Sequence, residues 1–430
     1  TVLFFGSMFG CLVSGVPIAI ALGGLSALLV IFFWGPNALS MLVLKGFGNT
    51  SSFEFLSIPL FVFMANMMER SGIAEDLYAT MYRFIGTRRG GLAAGTVIIC
   101  TIFAAMAGIS GAATVSMGIL ALPAMLSRSY SKDIALGSIA AGGSLGILIP
   151  PSVTMIIYGL IASTSIGKLY AGGILPGLLL AVMFIVYILV RSHLSPGLAP
   201  AAPAEERFTW RDKAVSLKGL IFPLLLVVCV LGSILSGFTS VSEAAAVGAF
   251  GSIVATLVKR GFQWSMFREA AEKTLLVSCL IFWIIIGAGA FSTLYTAMGA
   301  SSLVKGAVLG LDVDRYVILA VMQVLLILLG MVIDTVGIMM ITVPVFVPII
   351  VALGFDPTWF GVLFIINMEI GFLTPPFGYN LFYLKGVAPP GITMWDIYRS
   401  IVPFVILMVI GLGICIAVPD IILFLPNLLF

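Results

Sequence analysis

Apolar stretches long enough to cross a lipid bilayer recur from one end of this chain to the other. A helix needs about 20 apolar residues to span the hydrocarbon layer. Here 61% of the 430 residues are hydrophobic and only 9% are charged, far fewer charges than a soluble domain carries. Since backbone polar groups must be satisfied within such a layer, the composition predicts an all-α polytopic membrane protein.

The residue types that support most enzyme and metal chemistry are scarce. His193 is the only histidine and lies in a polar loop, and the five cysteines lie inside apolar runs. The cysteines lack the spacing of a metal site or a disulfide framework. We therefore predict no enzyme activity and no bound cofactor. The net charge of +3 is too small and too scattered to indicate a nucleic-acid partner.

Two double prolines interrupt apolar segments at matching positions. Pro150-Pro151 and Pro375-Pro376 lie 225 residues apart, and the same shift places Gly146 on Gly371. Positions that break helices match by chance less often than aliphatic residues do. The spacing therefore predicts an internal repeat, as in many transporter folds.

The charges of the matching turns indicate how the two halves are oriented. The basic turn at Arg88-Arg89 corresponds to an acidic turn at Asp312 and Asp314. Because Lys and Arg in short loops mark the cytoplasmic face, we predict two repeats of inverted topology. The turn at Arg88 and the linker are then cytoplasmic, while Asp312 and the C-terminal Phe430 are periplasmic.

Each repeat is predicted to hold a re-entrant hairpin and a broken transmembrane helix, with a polar cytoplasmic linker between the repeats. The first repeat spans 1–190, with its hairpin at about 91–127 and its broken helix at about 133–165. The linker spans 191–218. Residues 219–430 add an extra crossing and then the second repeat, with its hairpin at about 316–352 and its broken helix at about 358–388.

Broken helices free backbone carbonyls that hydrocarbon cannot satisfy, so they normally line a cavity. Carbonyls and Ser or Thr hydroxyls replace the water shell of sodium well. We therefore predict one sodium site at each interruption, and no other metal. The first site is assigned to Ser110, Thr114, Gly146, Ile149 and Pro150. The second site is assigned to Asp334, Thr335, Gly371, Thr374 and Phe377.

Polar side chains in and around the interruptions are the candidates for contact with substrate. Half-helix amino ends direct positive dipoles at an anion, which favours an anionic substrate. Asp334 is the only charged residue between 317 and 350, and a carboxylate at this depth is costly unless it has a partner. The substrate-binding set is Ser110, Ser144, Ser152, Asp334, Thr335 and Asn380. Glu369, beside the second break, is left open between a structural and an ion-binding role.

Three segments closely resemble a known family. They are Gly143–Ser152 (GSLGILIPPS), Gly167–Gly177 (GKLYAGGILPG) and Asn367–Gly378 (NMEIGFLTPPFG). These segments are similar to the DctM-type large subunit of tripartite ATP-independent periplasmic (TRAP) transporters, in the broader ion transporter superfamily. The resemblance covers essentially the whole chain.

The resemblance implies an elevator-type permease of the bacterial inner membrane, in which hairpins and broken helices form a mobile domain with sodium sites at both breaks. It also implies a small four-helix membrane subunit and a periplasmic substrate-binding protein as partners. We expect no fused small subunit before Thr1. The substrate is expected to be an organic acid anion, a carboxylate or sulfonate such as a sialic acid or a C4-dicarboxylate.

Three other functions compete with this one. A stand-alone sodium-coupled anion transporter of the same superfamily would need no partner proteins. An intramembrane hydrolase would need a facing nucleophile and base, and the apolar segments offer no pair of aspartates. A passive channel would not explain two helix breaks in inverted register. Substrate identity is not readable, because in this architecture the binding protein supplies most of the selectivity.

Overall fold

The computed structural model describes residues 6–7, 10–11, 14–201, 208–261, 263–310 and 312–430, which contain helices and no strands. The helices are α1 (Ile18–Trp34), α2 (Leu39–Thr50), α3 (Ser57–Arg70), α4 (Ile73–Ile85), α5 (Gly91–Ala107), α6 (Ser110–Ser127), α7 (Lys132–Ser144), α8 (Val153–Ala162), α9 (Ile166–Leu194), α10 (Trp210–Ser216), α11 (Lys218–Leu235), α12 (Val241–Arg260), α13 (Trp264–Ala297), α14 (Ala300–Leu309), α15 (Arg315–Gly330), α16 (Thr335–Ala352), α17 (Pro357–Leu373), α18 (Tyr379–Val387), α19 (Met394–Ala417) and α20 (Asp420–Leu429). Short 3₁₀ turns occur at Pro36–Ala38, Phe53–Leu56 and Leu145–Ile147.

The predicted all-α membrane fold is confirmed. In the described part of the chain, seven helices are long and apolar enough to cross a membrane, or eight if one bent pair counts as a single span. Shorter apolar helices, such as α5, α8, α15 and α17, belong to the predicted hairpins and broken helices.

Side-chain caps explain where several helices begin. The Ser131 hydroxyl accepts a hydrogen bond from Ile134 N at the start of α7, and the Asp356 carboxylate accepts one from Trp359 N at the start of α17. Each cap satisfies one of the amide groups that a helix leaves free at its amino end. Ser240 and Glu243 form a capping box at the start of α12, so Glu243 has the structural role of a helix-start carboxylate.

The bounds of several helices recur with the 225-residue shift. The second arms of the two hairpins, α6 and α16, are both 18 residues long and begin at Ser110 and Thr335. The broken helices begin at Lys132 and Pro357, and their second halves end at Ala162 and Val387. These bounds support the predicted internal repeat, whereas the opposite orientation of the two halves stays a prediction.

The halves differ in one helix. Residues 264–297 form the single helix α13 of 34 residues, while the segment at the matching positions of the first half bends by 57° between Pro36–Gly48 and Phe53–Arg70. Gly46 and Gly48 lower helix propensity just before this bend. The Thr50 hydroxyl also donates to Gly46 O at 3.0 Å, a side-chain bond that commonly bends helices.

The two broken helices lie at the centre of the molecule. Every residue from 134 to 153 is buried, as is every residue from 358 to 371. By contrast, α11 exposes large apolar side chains such as Leu225 and Val228. In a bilayer such a face contacts lipid or another membrane subunit. The first interruption is therefore enclosed by protein, the second is exposed at Pro376 and Phe377, and helices such as α11 form the periphery.

Contacts between distant turns join residues that the predicted topology assigns to one face. Lys132 forms an ion pair with Asp396 at 3.2 Å, and Gly90 N donates to Ala199 O at 3.0 Å; all four positions are predicted to be cytoplasmic. On the predicted periplasmic side, the Phe430 ring lies against Gly167. These pairings are compatible with the predicted topology, and the assignment of each face stays a prediction.

Candidate functional site

The tip of the first hairpin rests on the first helix break. The tip consists of Gly108 and Ile109, between α5 and α6. Val153 N donates to Gly108 O at 3.4 Å. Gly108 has φ +64, and a Cβ there would lie 2.5 Å from Pro151 O. Glycine is therefore required here both by backbone conformation and by the close approach of the break.

The structure brings together most of the residues predicted for the first sodium site. A Cβ on Gly146 would lie 3.0 Å from the Ser110 Cα, so the two predicted ligands are in direct backbone contact. Ile149 and Pro150 are buried in the same break, and Ile149 N donates to Leu145 O at 2.9 Å. This α-type bond closes the last turn before the double proline, whose two prolines lack the amide hydrogens that would pair with the carbonyls of the break.

The second hairpin meets the second break in a similar manner. Phe377 N donates to Met331 O at 3.3 Å across the tip. A Cβ on Gly371 would lie 2.8 Å from the Gly330 Cα, so two glycine backbones pack directly against each other. At each break, a carbonyl of the hairpin tip therefore accepts a hydrogen bond from an amide that follows the double proline.

Residues predicted for the second sodium site lie around this contact, and two of them also have local structural roles. Asp334 caps α16, its Oδ2 accepting from Val336 N at 3.0 Å and Gly337 N at 3.4 Å. The Thr374 hydroxyl donates to Ile370 O at 2.6 Å. Thr335 is buried, whereas the Phe377 side chain is 48% exposed. The carboxylate of Asp334 thus finds its hydrogen-bond donors in the backbone of its own helix.

Asn380 links the two halves at the site. The Thr114 hydroxyl, on the first hairpin, donates to Asn380 Oδ1 at 2.6 Å, and Asn380 Nδ2 donates to Ala140 O at 2.7 Å. Asn380 is fully buried and lies on α18, which follows the second break. A side chain predicted to bind substrate therefore holds the first hairpin, the first broken helix and the second broken helix together.

The other two predicted substrate residues use their hydroxyls locally. The Ser144 hydroxyl donates to Ala141 O at 2.9 Å. The Ser152 hydroxyl donates to Ile147 O at 2.5 Å and accepts from Met155 N at 3.3 Å. Ser152 thereby spans the break and caps α8. Both residues are fully buried, and their assignment to substrate stays a prediction.

Sequence reasoning missed two features beside the site. The Tyr383 ring lies against Gly111, where a Cβ would be 3.0 Å from the ring. Tyr383 lies 225 residues after Tyr158, and this match to the repeat was the available indication. Asn367 Nδ2 donates to Gln323 Oε1 between α17 and α15. Nearby in sequence, Glu369 is fully buried, and neither of its oxygens has a hydrogen-bond partner among the described residues.

The sequence matches a family model along nearly its entire length. Residues 5–421 fit the DctM component of tripartite ATP-independent periplasmic transporters. The chain belongs to this family. The predicted resemblance to TRAP large permeases is thus confirmed, and the chain is a multi-pass transport component of such a system.

Relatives in this family are named for different substrates. The chain is 33% identical to the C4-dicarboxylate TRAP transporter large permease protein DctM of Pseudomonas aeruginosa, covering 94% of this chain and 93% of the relative. It is 30% identical over the full length of both chains to the ectoine TRAP transporter large permease protein TeaC of Halomonas elongata. It is 33% identical to the isethionate TRAP transporter permease protein DctMQ of Oleidesulfovibrio alaskensis and spans 65% of that longer protein.

A solved structure shares the fold at low sequence identity. The Alcanivorax borkumensis YdaH transporter, described as having an unusual topology, superposes with a TM-score of 0.63 at 16% identity, covering 93% of this chain and 97% of that one. At this identity the likeness supports the fold only.

Proposed function

We propose that this DctM-family chain is the large permease subunit of a sodium-coupled, binding-protein-dependent secondary transporter in the bacterial inner membrane. It imports an organic acid anion by an elevator mechanism. Its partners are a small four-helix membrane subunit and a periplasmic substrate-binding protein. The substrate is a carboxylate or sulfonate, a class to which the C4-dicarboxylate and isethionate named for two relatives belong.

The observation that carries the proposal is the meeting of each hairpin tip with a helix break in the protein interior. Ser110 contacts Gly146 at the first break, and Gly330 contacts Gly371 at the second. Backbone carbonyls thus meet away from lipid at both contacts, and Ser110 and Thr335, which begin α6 and α16, have buried side chains. Such oxygens suit a dehydrated sodium ion, which needs no fixed carboxylate.

Helix amino ends supply the favourable electrostatics for an anion. The helices α6, α8, α16 and α18 all begin at a hairpin tip or just after a break. Each amino end carries a partial positive charge and free amide groups. The residues assigned to the two sodium sites and to substrate include no Lys or Arg. The anion is therefore held by amides, hydroxyls and the coupled sodium ions.

Packing between the halves supports a single mobile body. Asn380 of α18 bonds to Thr114 of the first hairpin, and α8 packs against α16 of the second hairpin. Each half-helix that follows a break therefore contacts the hairpin of the other half. In an elevator mechanism this body moves against the peripheral helices, such as α11 and α12, and carries both sodium sites with it.

The test is uptake into proteoliposomes that hold this subunit and its small partner, with the binding protein outside. We expect uptake to require all three proteins and to rise with the external sodium concentration. Uptake that persists without sodium would reject sodium coupling, and uptake without the binding protein would favour a stand-alone transporter. The topology is tested by labelling cysteines introduced at Arg88 and Asp312, which should react from opposite faces.

A further inference from the structure

A large cavity lies outside the site described above. It has a volume of about 610 Å³, which is large enough for a small organic acid. One wall comes from α2, the following 3₁₀ turn and α13, and the other from the end of α8, the turn after it and α16. The polar side chains of its lining are Lys45, Ser52, Glu54, Ser163, Thr164, Ser165 and Ser292.

The cavity approaches the second site from the predicted periplasmic face. In the predicted topology, the broken helix at about 133–165 starts on the cytoplasmic side and crosses outward, so the turn at 163–165 lies on the periplasmic face. Met340 and Pro344 of α16 line the cavity. Met340 is five residues beyond Thr335, which is about 7.5 Å along a helix with a rise of about 1.5 Å per residue. The cavity therefore extends from this face towards the second hairpin tip.

Two opposite charges line the cavity. Lys45 and Glu54 both have exposed side chains, and neither forms an ion pair with another of the described residues. Lys45 is also the only basic residue between 34 and 57. Basic residues normally accumulate in short loops on the cytoplasmic face of the membrane. Lys45 lies at a polar cavity on the predicted periplasmic face, so the preference of basic residues for the cytoplasmic side does not explain its position.

We propose that this cavity is an entry vestibule that binds the organic acid anion before it reaches the hairpin tips. Lys45 attracts the carboxylate or sulfonate, the hydroxyls of the wall bond to its polar substituents, and Glu54 attracts the accompanying cation. The inference rests on the proposed function, since it assigns an approach route to the same transported anion.

The first test measures the electrostatics of the cavity with no transport at all. Ser292→Cys is introduced into a chain whose native cysteines are replaced by alanine. Spheroplasts are then treated with an anionic sulfonatoethyl methanethiosulfonate or a cationic trimethylammonioethyl methanethiosulfonate. At low ionic strength, Lys45→Gln should lower the ratio of anionic to cationic labelling rates about three- to tenfold. Glu54→Gln should raise this ratio, and high salt should reduce both effects.

Lys305→Gln is the matched control. Lys305 is a basic residue of α14 on the same predicted face and does not line the cavity, so its replacement should leave the ratio unchanged. Equal ratios in all variants, or no labelling of the Ser292→Cys chain from outside, would overturn the proposal. Labelling from the cytoplasmic face alone would do the same.

The second test connects the cavity to transport. In proteoliposomes with binding protein outside, Lys45→Gln should lower uptake severalfold, Lys45→Arg should largely restore it, and Lys305→Gln should have no effect. The affinity of the binding protein for the membrane subunits should stay unchanged. A loss of that affinity would identify Lys45 as a docking residue instead, and unchanged uptake would remove the vestibule from the pathway. Sodium-independent uptake that still depends on Lys45 would reject the proposed coupling but retain the vestibule.

Discussion

Replacement of Asn380 by alanine removes two buried hydrogen bonds that connect the halves of the molecule. These are the bond from the Thr114 hydroxyl at 2.6 Å and the bond to Ala140 O at 2.7 Å. A side-chain hydrogen bond in a membrane protein contributes about 0.6 kcal/mol on average and at most about 1.7 kcal/mol. The two together therefore contribute about 1–3 kcal/mol. If this energy holds the first hairpin in its ion-binding position, Asn380→Ala should weaken apparent sodium affinity by about 5- to 150-fold.

Asn66→Ala is the matched control for this prediction. Asn66 also donates two hydrogen bonds, to Val62 O at 3.0 Å and to the Thr274 hydroxyl at 3.2 Å, but it lies on α3 and links that helix to α13, outside both breaks. Both variants should lower the melting temperature of the purified protein, whereas only Asn380→Ala should shift the sodium dependence of uptake. Equal losses of stability with identical sodium curves would show that Asn380 is only a packing residue.

Two further substitutions test the breaks themselves. Gly371→Ala places a methyl group 2.8 Å from the backbone of the second hairpin, an overlap that costs about 1–3 kcal/mol or more. Uptake by this variant should fall at least tenfold. Gly386→Ala is the control, because no atom lies within 4 Å of its added methyl group, and it should retain uptake. Asp334→Asn keeps the shape of the α16 cap but removes a charge that balances a cation in a low-dielectric site. It should reduce sodium-dependent uptake far more than Ser110→Ala does, and identical sodium titrations for the two variants would contradict this role.

Features determined by local chemistry could be predicted from the sequence. Proline and glycine interrupt helices wherever they occur in the membrane, so Pro150-Pro151 and Pro375-Pro376 identified both breaks. In the segment predicted as the first hairpin, at about 91–127, the turn between the two helices lies at Gly108 and Ile109. Helix ends lie near several of the predicted bounds, because N-caps such as Asp356 and double prolines mark helix ends along the chain itself, whereas the division into re-entrant hairpins and broken transmembrane helices stays a prediction.

Features that depend on contacts between the halves could not be predicted. Thr114 and Asn380 are 266 residues apart, and this separation does not follow from the 225-residue repeat. Both were assigned to binding sites, yet their hydrogen bond to each other was not anticipated. The cavity beside Lys45 was missed for a related reason. The walls of the cavity come from four separate segments. The only indication in the sequence was Lys45, a basic residue on the predicted periplasmic side.

The exchange of contacts between the halves predicts that the two sodium sites are coupled. A sodium ion at the second break would hold the start of α18 in place, and Asn380 on α18 in turn fixes Thr114 on the first hairpin. Ordering one site therefore lowers the cost of ordering the other, and this coupling must be reciprocal. We expect sodium binding to the unmodified chain to have a Hill coefficient above one, and Asn380→Ala to bring that coefficient down to one. The measurement is an equilibrium sodium-binding titration of the purified membrane subunits. A Hill coefficient above one that survives in Asn380→Ala would mean that the sites communicate by another route, and a coefficient of one in the unmodified chain would mean that they bind sodium independently.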